Sequence, residues 1–390
     1  MNFLYVGFVS DTPQFSGILK KIVSQTNALR SEFKRCDYTY ISGNNVVLNS
    51  NGNTNSKSFA TDVRWKRQQE LITANICEYI KEGNYSVIYI KGFITSPYYL
   101  KIAKTTKEHN PNCTVLFEVP TYPYKGEYKR FLKTAIRSKD IRAFLGHLYE
   151  ICQHFITKRK FRKYVDRIVV FGAPITKLWG ISAFTIENGI SVENVKKRLY
   201  NKTDNEYTIL GVAGTTVTHG FHRVINGLND YYQNGGAEKI VFNIVGDNPT
   251  MEQLKQLVSG YNLDGNVKFL GYKTTEELQK LYSENTVAVS CLGAYLTGLQ
   301  YLSPLKTREY CAAGIPFILA YDEFLIDEKT PFALKVANND TSLDIELTLK
   351  FMDNCDEELS QKERQFAKDN YEWSKIMKDV LIKSDIIEEK

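Results

Sequence analysis

Ser303-Pro304-Leu305-Lys306-Thr307-Arg308-Glu309-Tyr310-Cys311-Ala312-Ala313-Gly314-Ile315-Pro316-Phe317-Ile318 is the stretch from which the fold is read. Just upstream lies an apolar run, Thr286-Val287-Ala288-Val289-Ser290, of the kind that forms a buried parallel strand. Ser-Pro then opens a helix, since a proline is tolerated in the first turn, where its missing N–H would have no intrahelical partner. Gly314 ends the helix, Pro316 stops it from continuing, and Phe317-Ile318-Leu319-Ala320 reads as the next strand. A helix that starts at the carboxyl end of a strand offers free N–H groups and the positive end of its dipole to an anion. Lys306 adds a mobile charge suited to phosphate, and Glu309 is placed to accept hydrogen bonds from a sugar diol, as acidic residues do for ribose in dinucleotide folds. An ordinary strand-helix-strand crossover with solvated charges would carry the same residues.

Working outward, strand and helix patterns alternate through both halves of the chain, the signature of parallel α/β sheets. In the second half the spacing predicts strands at Tyr207–Ala213, Ile240–Val245 and Val267–Leu270. The first exits into Gly214-Thr215-Thr216-Val217-Thr218-His219-Gly220-Phe221-His222-Arg223 and a helix, the second into Gly246-Asp247-Asn248-Pro249, the third into Gly271-Tyr272-Lys273. In the first half the predicted strands are Phe3–Phe8, Tyr38–Ile41, Val87–Ile90, Thr114–Glu118, Arg167–Val170 and a short one at Phe184–Ile186. Helices are predicted at Gly17–Arg30, Gln68–Lys81 and Pro97–Lys107 and within Gly126–Lys163. Asn-rich polar sequence from Asn44 to Ser58 reads as a surface hairpin or loop. At 390 residues two domains are expected. Polar residues Lys196–Glu206 read as the linker, with the boundary near Thr203. This gives domains at 1–203 and 204–367 and a C-terminal helical segment at 368–390, anchored by Trp373.

Composition narrows the class. Seven cysteines, odd in number and without paired spacing, read as the reduced thiols of a cytoplasmic protein. Neither Cys-x-x-Cys nor His-x-x-x-His occurs, which argues against structural zinc. The first residues read as a strand rather than a signal peptide, and no apolar run approaches bilayer length. The net charge of +6 becomes informative through its distribution. From Lys125 to Lys163, basic residues such as Lys133, Arg137, Arg142, Lys158, Arg159 and Lys160 interleave with Phe131, Leu132, Ile136, Phe144, Leu145, Ile151 and Phe155. This reads either as an amphipathic surface for anionic lipid at the inner face of a membrane or as the solvated faces of two packed helices. Nucleic acid ranks lower as a partner, because no binding module accompanies the charge.

Three further turns are noted. Gly17 lies at the turn after the first strand, where a glycine lets backbone approach a phosphate or sugar, although such glycines more often cap turns. Phe117-Glu118-Val119-Pro120-Thr121-Tyr122-Pro123-Tyr124 lies at the carboxyl edge of the first sheet, where α/β proteins bind ligands, and also reads as a loop stiffened by two prolines. Glu187-Asn188-Gly189-Ile190 is a turn signal.

The pattern Lys306-x-x-Glu309-Tyr310-x-Ala312-x-Gly314-x-Pro316 resembles the donor-binding segment of GT-B retaining glycosyltransferases of the large family 4 group. Phe269-Leu270-Gly271-Tyr272 and Asn188-Gly189-Ile190 are also similar to that family, and the run around Glu118–Tyr124 is similar to one in bacterial capsule and cell-wall glycosyltransferases. The resemblance implies a GT-B fold: two Rossmann-like parallel-sheet domains facing across a cleft, with the C-terminal helix crossing back to the first. It implies that amides at Ser303–Leu305 and the Lys306 side chain meet the diphosphate of a nucleotide-sugar, UDP- or GDP-linked, and that Glu309 holds the ribose. Backbone at Gly271–Tyr272 would edge the base, while Gly214 and Thr215 would line the donor and Gly17 would face it from the first domain. His219 stands where many relatives have Lys before Gly, and Arg223, a turn later, would supply a bidentate cation.

The family often has Glu eight residues before Glu309, where this chain has Tyr301, and many relatives have a His near Thr121 and Tyr122. Tyr301, Tyr122 and Thr121 are therefore the candidates for a catalytic role, with Glu118 nearby. No Asp-x-Asp motif occurs, so neither metal nor cofactor is expected. The activity implied is transfer of a sugar to a glycan or polyprenyl-linked saccharide in cell-surface polysaccharide synthesis. Two alternatives are a non-catalytic GT-B subunit that binds a partner or glycan, and a nucleotide-sugar epimerase.

Overall fold

Residues 2–6 form the first strand, β1, and Phe3 to Val6 are fully buried because helices cover the sheet on both faces. The structure, a computed structural model, describes residues 1–199, 206–212, 214, 217–246 and 250–389. After β1 (Asn2–Val6) come α1 (Ser16–Ala28), β2 (Arg35–Ser42), β3 (Asn45–Ser50), β4 (Asn53–Ser58), α2 (Trp65–Gly83), β5 (Val87–Lys91) and α3 (Pro97–His109). Then follow β6 (Thr114–Tyr122), α4 (Lys125–Arg137), α5 (Ile141–Phe161), β7 (Arg167–Gly172), β8 (Lys177–Leu178) and β9 (Ile181–Ile186). They build a nine-stranded sheet in the order β4-β3-β2-β1-β5-β6-β7-β9-β8. From β2 to β9 every pairing is parallel. The two ends are antiparallel additions, β3-β4 and β8. The Asn-rich segment is thus a hairpin, whose turn residues Asn51 (φ 51°) and Gly52 (φ 97°) both take the positive φ that tight hairpins require.

β6 runs four residues beyond its expected end, so Glu118 lies inside the strand and is fully buried. It receives Lys91 at 2.6 Å, Lys21 at 3.1 Å, Tyr89 at 2.9 Å and Tyr5 at 3.0 Å. A buried carboxylate survives only when paired and hydrogen-bonded in this way. Glu118 is therefore a structural residue of the sheet and not a group at its open edge. Burial lowers the Lys21 ammonium to about 7, with Glu118 pulling the other way.

The second run comprises β10 (Tyr207–Val212), α6 (His222–Gln233), β11 (Ile240–Val245), α7 (Met251–Gly260), β12 (Val267–Gly271), α8 (Thr275–Glu284) and β13 (Val287–Val289). It continues with α9 (Leu305–Ala313), β14 (Phe317–Leu319), β15 (Ala333–Lys335), α10 (Ile345–Asp353) and α11 (Glu357–Asn370). Its six strands are all parallel, in the order β12-β11-β10-β13-β14-β15. The order of connection reverses between β10 and β13, and α/β folds bind ligands outside the carboxyl ends of strands at such a reversal.

Contacts divide the chain into two units, Met1–Ile186 with Trp373–Lys390, and Glu187–Glu372. The boundary expected near Thr203 lies outside the described residues. Within the expected linker, Arg198 is 2% exposed and donates to Ser360 Oγ at 2.8 Å and the Asn285 carbonyl at 3.0 Å, so the segment before it is tied to the second unit. The last helix, α12 (Trp373–Lys383), packs on α1 of the first unit, burying Trp373, Met377, Val380 and Leu381.

Candidate functional site

The head of α9 lies beside the reversal between β10 and β13. Pro304 occupies the position before the helix (φ −70°, ψ 140°) and has no side chain able to cap it, and the first turn holds no acidic residue. The leading amides of α9 therefore receive no carboxylate from their own turn, which suits an incoming anion. At the other end Gly314 takes the left-handed conformation (φ 79°), and a Cβ there would stand 2.6 Å from the Ser360 carbonyl oxygen, so only glycine fits.

The approach to this helix is clamped from below. The Asn188 amide donates to Ser303 Oγ at 2.6 Å, and its side-chain Nδ2 donates to the Ser303 carbonyl. Arg308, fully buried, donates to the Asn188 carbonyl (2.8 Å), to Ser303 Oγ (2.8 Å) and to Glu323 (2.6 Å), and lies over the Tyr371 ring at 3.8 Å. Glu187 approaches the same guanidinium at 3.5 Å. Burial pushes Glu323 up to about 7; Arg308 opposes the shift and Glu187 adds to it. One turn of α9 is also joined to the sheet by three hydroxyls, with Ser290, Thr307 and Tyr321 mutually 2.8 Å apart.

Lys306 turns back over the strand ends. Its Nζ lies 2.8 Å from the Ser290 carbonyl, 3.3 Å from the Val212 carbonyl and 2.9 Å from His219 Nδ1, with the Phe221 ring below it. These carbonyls close β10 and follow β13, so Nζ sits at the reversal itself. Burial pushes the Lys306 ammonium below its ordinary range and His219 well below its own, Lys306 adding to the latter shift. Glu309, further along α9, accepts from the Tyr282 hydroxyl at 3.1 Å.

The residues singled out in the sequence thus part company. Ser303, Leu305, Lys306, His219 and Gly214 come together, the Gly214 amide donating to His219 Nε2 at 2.7 Å. Thr215 lies outside the described residues. Arg223, expected to meet a diphosphate, is 1% exposed and donates to the Thr341 carbonyl at 2.7 Å and the Leu292 carbonyl at 2.8 Å. It braces loops inside the unit, because a guanidinium on the inward face of α6 finds carbonyls before it finds solvent. Tyr272 is 72% exposed at the end of the edge strand β12. Tyr301 stacks on Phe324, ring centroids 5.6 Å apart. Gly17, Thr121 and Tyr122 belong to the first unit. Gly17 sits in the first turn of α1, where a Cβ would meet nothing within 4 Å. Thr121 and Tyr122 end β6, half-buried.

Asn188, Arg308 and Glu323 escaped notice as site residues, although the Asn-Gly turn at 188–189 marked the place. Among the described residues no group of three or more His, Cys, Asp or Glu side chains is placed to hold a metal, and no helix is long and apolar enough to cross a membrane.

Residues 193–354 match the model of the glycosyl transferases group 1 family. No curated protein matches the chain. Among solved structures, a glycosyltransferase of Rickettsia africae superposes with a TM-score of 0.63 at 14% identity, over 100% of this chain and 99% of that one. A sucrose-phosphate synthase of Thermosynechococcus elongatus gives 0.62 at 13% identity over 97% of each chain. The Anabaena protein HepE in complex with UDP gives 0.59 at 12% identity, over 99% of this chain and 100% of that one. The fold is therefore that of the GT-B glycosyltransferases, two parallel-sheet units, and its second unit carries a segment similar to group 1 glycosyl transferases.

Proposed function

We propose that the chain is a retaining glycosyltransferase that moves a sugar from a nucleotide-diphosphate donor, UDP- or GDP-linked, to a glycan or polyprenyl-linked saccharide in cell-surface polysaccharide synthesis. The observation that carries this reading is the uncapped head of α9, with Lys306 set at the reversal between β10 and β13. The site is built to receive a pyrophosphate and to favour its departure. Charge grows on the leaving diphosphate as the bond to the sugar breaks, and fixed amides and a cation there stabilise that state more than the bound donor. The leaving phosphate can itself accept the acceptor's proton, so no separate base is required. The similar fold of HepE, solved with UDP and with UDP-glucose, supports the donor class.

Glu309 holds the ribose in this reading. Lys306→Ala and Glu309→Ala are each expected to lower donor turnover at least tenfold, and wild-type rates in both would remove the assignment. A second reading, a non-catalytic GT-B subunit that binds a partner or a glycan, is favoured by Tyr301, whose ring is held against Phe324 at the position where the family it resembles often has Glu. Calorimetry separates the two, since such a subunit would take up no nucleotide diphosphate.

The acceptor's lipid accords with the surface of α4 and α5, where Ile136, Ile141, Leu145, Leu148, Phe155 and Ile156 are exposed among basic residues. Apolar side chains that enter the headgroup layer and cations that meet anionic lipid make such a face a peripheral membrane contact.

A further inference from the structure

His219 and Lys306 present a proton count that only one arrangement satisfies. The Gly214 amide, which can only donate, points at His219 Nε2 from 2.7 Å, so Nε2 carries the lone pair. A neutral imidazole then bears its hydrogen on Nδ1. That Nδ1–H faces Lys306 Nζ at 2.9 Å, and an ammonium there would set donor against donor. A neutral amine fits instead. Its two hydrogens go to the carbonyls of Ser290 at 2.8 Å and Val212 at 3.3 Å, and its lone pair accepts from Nδ1.

The surroundings agree. Among the described residues, the Phe221 ring centroid lies 5.5 Å from Nζ and Cys291 is also nearby. Carboxylates on and beside α9 are engaged elsewhere, Glu309 with Tyr282 and both Glu187 and Glu323 with Arg308. Burial independently disfavours charge on both Lys306 and His219.

We propose that Lys306 is a neutral amine in the empty site and takes up one proton when a diphosphate binds, with His219 as the positioning residue that passes the proton on. The inference rests on the donor reading above and adds its proton linkage. An anion at the head of α9 draws the Gly214 amide away from Nε2. The freed Nε2 lone pair accepts a proton from solvent, and the Nδ1 proton moves across to Nζ. His219 ends neutral with its hydrogen on Nε2, Lys306 ends as an ammonium, and the net change is one proton gained. The cation thus appears only once its anion is present, and the empty site is spared a buried charge.

The test is calorimetric titration of UDP into the full chain at pH 8, in Tris and in HEPES, whose ionisation enthalpies differ. The terminal phosphate of UDP, with a second pKa of about 6, is already ionised at that pH, so proton uptake belongs to the protein. Uptake near one proton per UDP is expected, with affinity falling about tenfold per pH unit above the midpoint of the free amine. In His219→Asn the side-chain oxygen stands in for Nδ1 as an acceptor, Lys306 stays charged, and uptake falls by more than half. Binding of UDP with no difference between buffers in the wild-type chain would overturn the proposal. NMR titration of the Lys306 ammonium in the ligand-free protein, assigned through Lys306→Arg, reads the first half alone. A midpoint above pH 8, which would leave the amine charged under the conditions of the calorimetry, overturns it. Failure to bind UDP together with a depressed Lys306 midpoint would instead sink the donor reading and leave the neutral amine standing.

Discussion

Arg308 shows how much of the site's geometry rests on a fully buried residue. Its guanidinium holds Asn188, Ser303 and Glu323 at once, a fork that a lysine could not reproduce. Two carboxylates share this one cation, and burial keeps a proton on Glu323 up to about pH 7 in the folded chain. In the unfolded chain the same carboxyl releases its proton near its ordinary 4.5. Between those values the native state binds more protons, so this contribution to stability is full below about pH 4.5 and is lost as pH rises toward 7. Glu323→Gln is expected to flatten that slope, by about 1–3 kcal/mol across the window. Urea midpoints of wild type and variant at pH 5 and pH 7 check it, and equal slopes in the two proteins would refute it. At this scale spacing is what singled residues out in the sequence. Lys306 and Glu309 stand out because a helix after a buried strand leaves few places for a cation and a carboxylate. Arg223 misled for the same reason: its spacing was right, but the inward face of α6 was not visible in a single sequence. Arg308, between Thr307 and Glu309, gave no sign of pointing to the opposite side of the helix.

The elements follow the patterning closely. Fully apolar runs such as Phe3–Val6 and Val287–Val289 became buried parallel strands, and Gly314 stopped α9 in the left-handed conformation. β6 exceeded its reading because Pro120 did not end it, and so Glu118 moved from the expected open edge into the core. α12 lies within the helical segment read at 368–390, and Trp373, Met377, Val380 and Leu381 form its buried face. Trp373 is 3% exposed and lies above Lys21, whose ammonium also reaches Glu118. Trp373→Ala is expected to destabilise the first unit by about 3–5 kcal/mol. A fall in its unfolding midpoint with no change in the second unit's midpoint would bear this out, whereas a shift below about 1 kcal/mol, within the range of an ordinary surface substitution, would contradict it.

For the whole molecule, the alternation of strands and helices foretold two parallel-sheet units and the Asn-rich segment read as a hairpin or loop, while the pairing of that hairpin to β2 and the strand β8 emerged only in the structure, since short polar strands carry little periodic signal. The basic stretch at 125–163 proved to be two helices on which several apolar side chains stay exposed, Ile141 at 73% and Phe155 at 58%. Replacing Lys158, Arg159, Lys160, Arg162 and Lys163 together with Ala is expected to reduce flotation with anionic liposomes at least fivefold. Unchanged flotation would count against this face as the membrane contact.

The head of α9 is proposed to receive the diphosphate of a nucleotide-sugar. Crystals of the full chain soaked with UDP test it most directly. Phosphate oxygens are expected within hydrogen-bonding distance of the Leu305 and Lys306 amides, with the ribose on Glu309. UDP seated elsewhere, or with its phosphates turned away from α9, would contradict it.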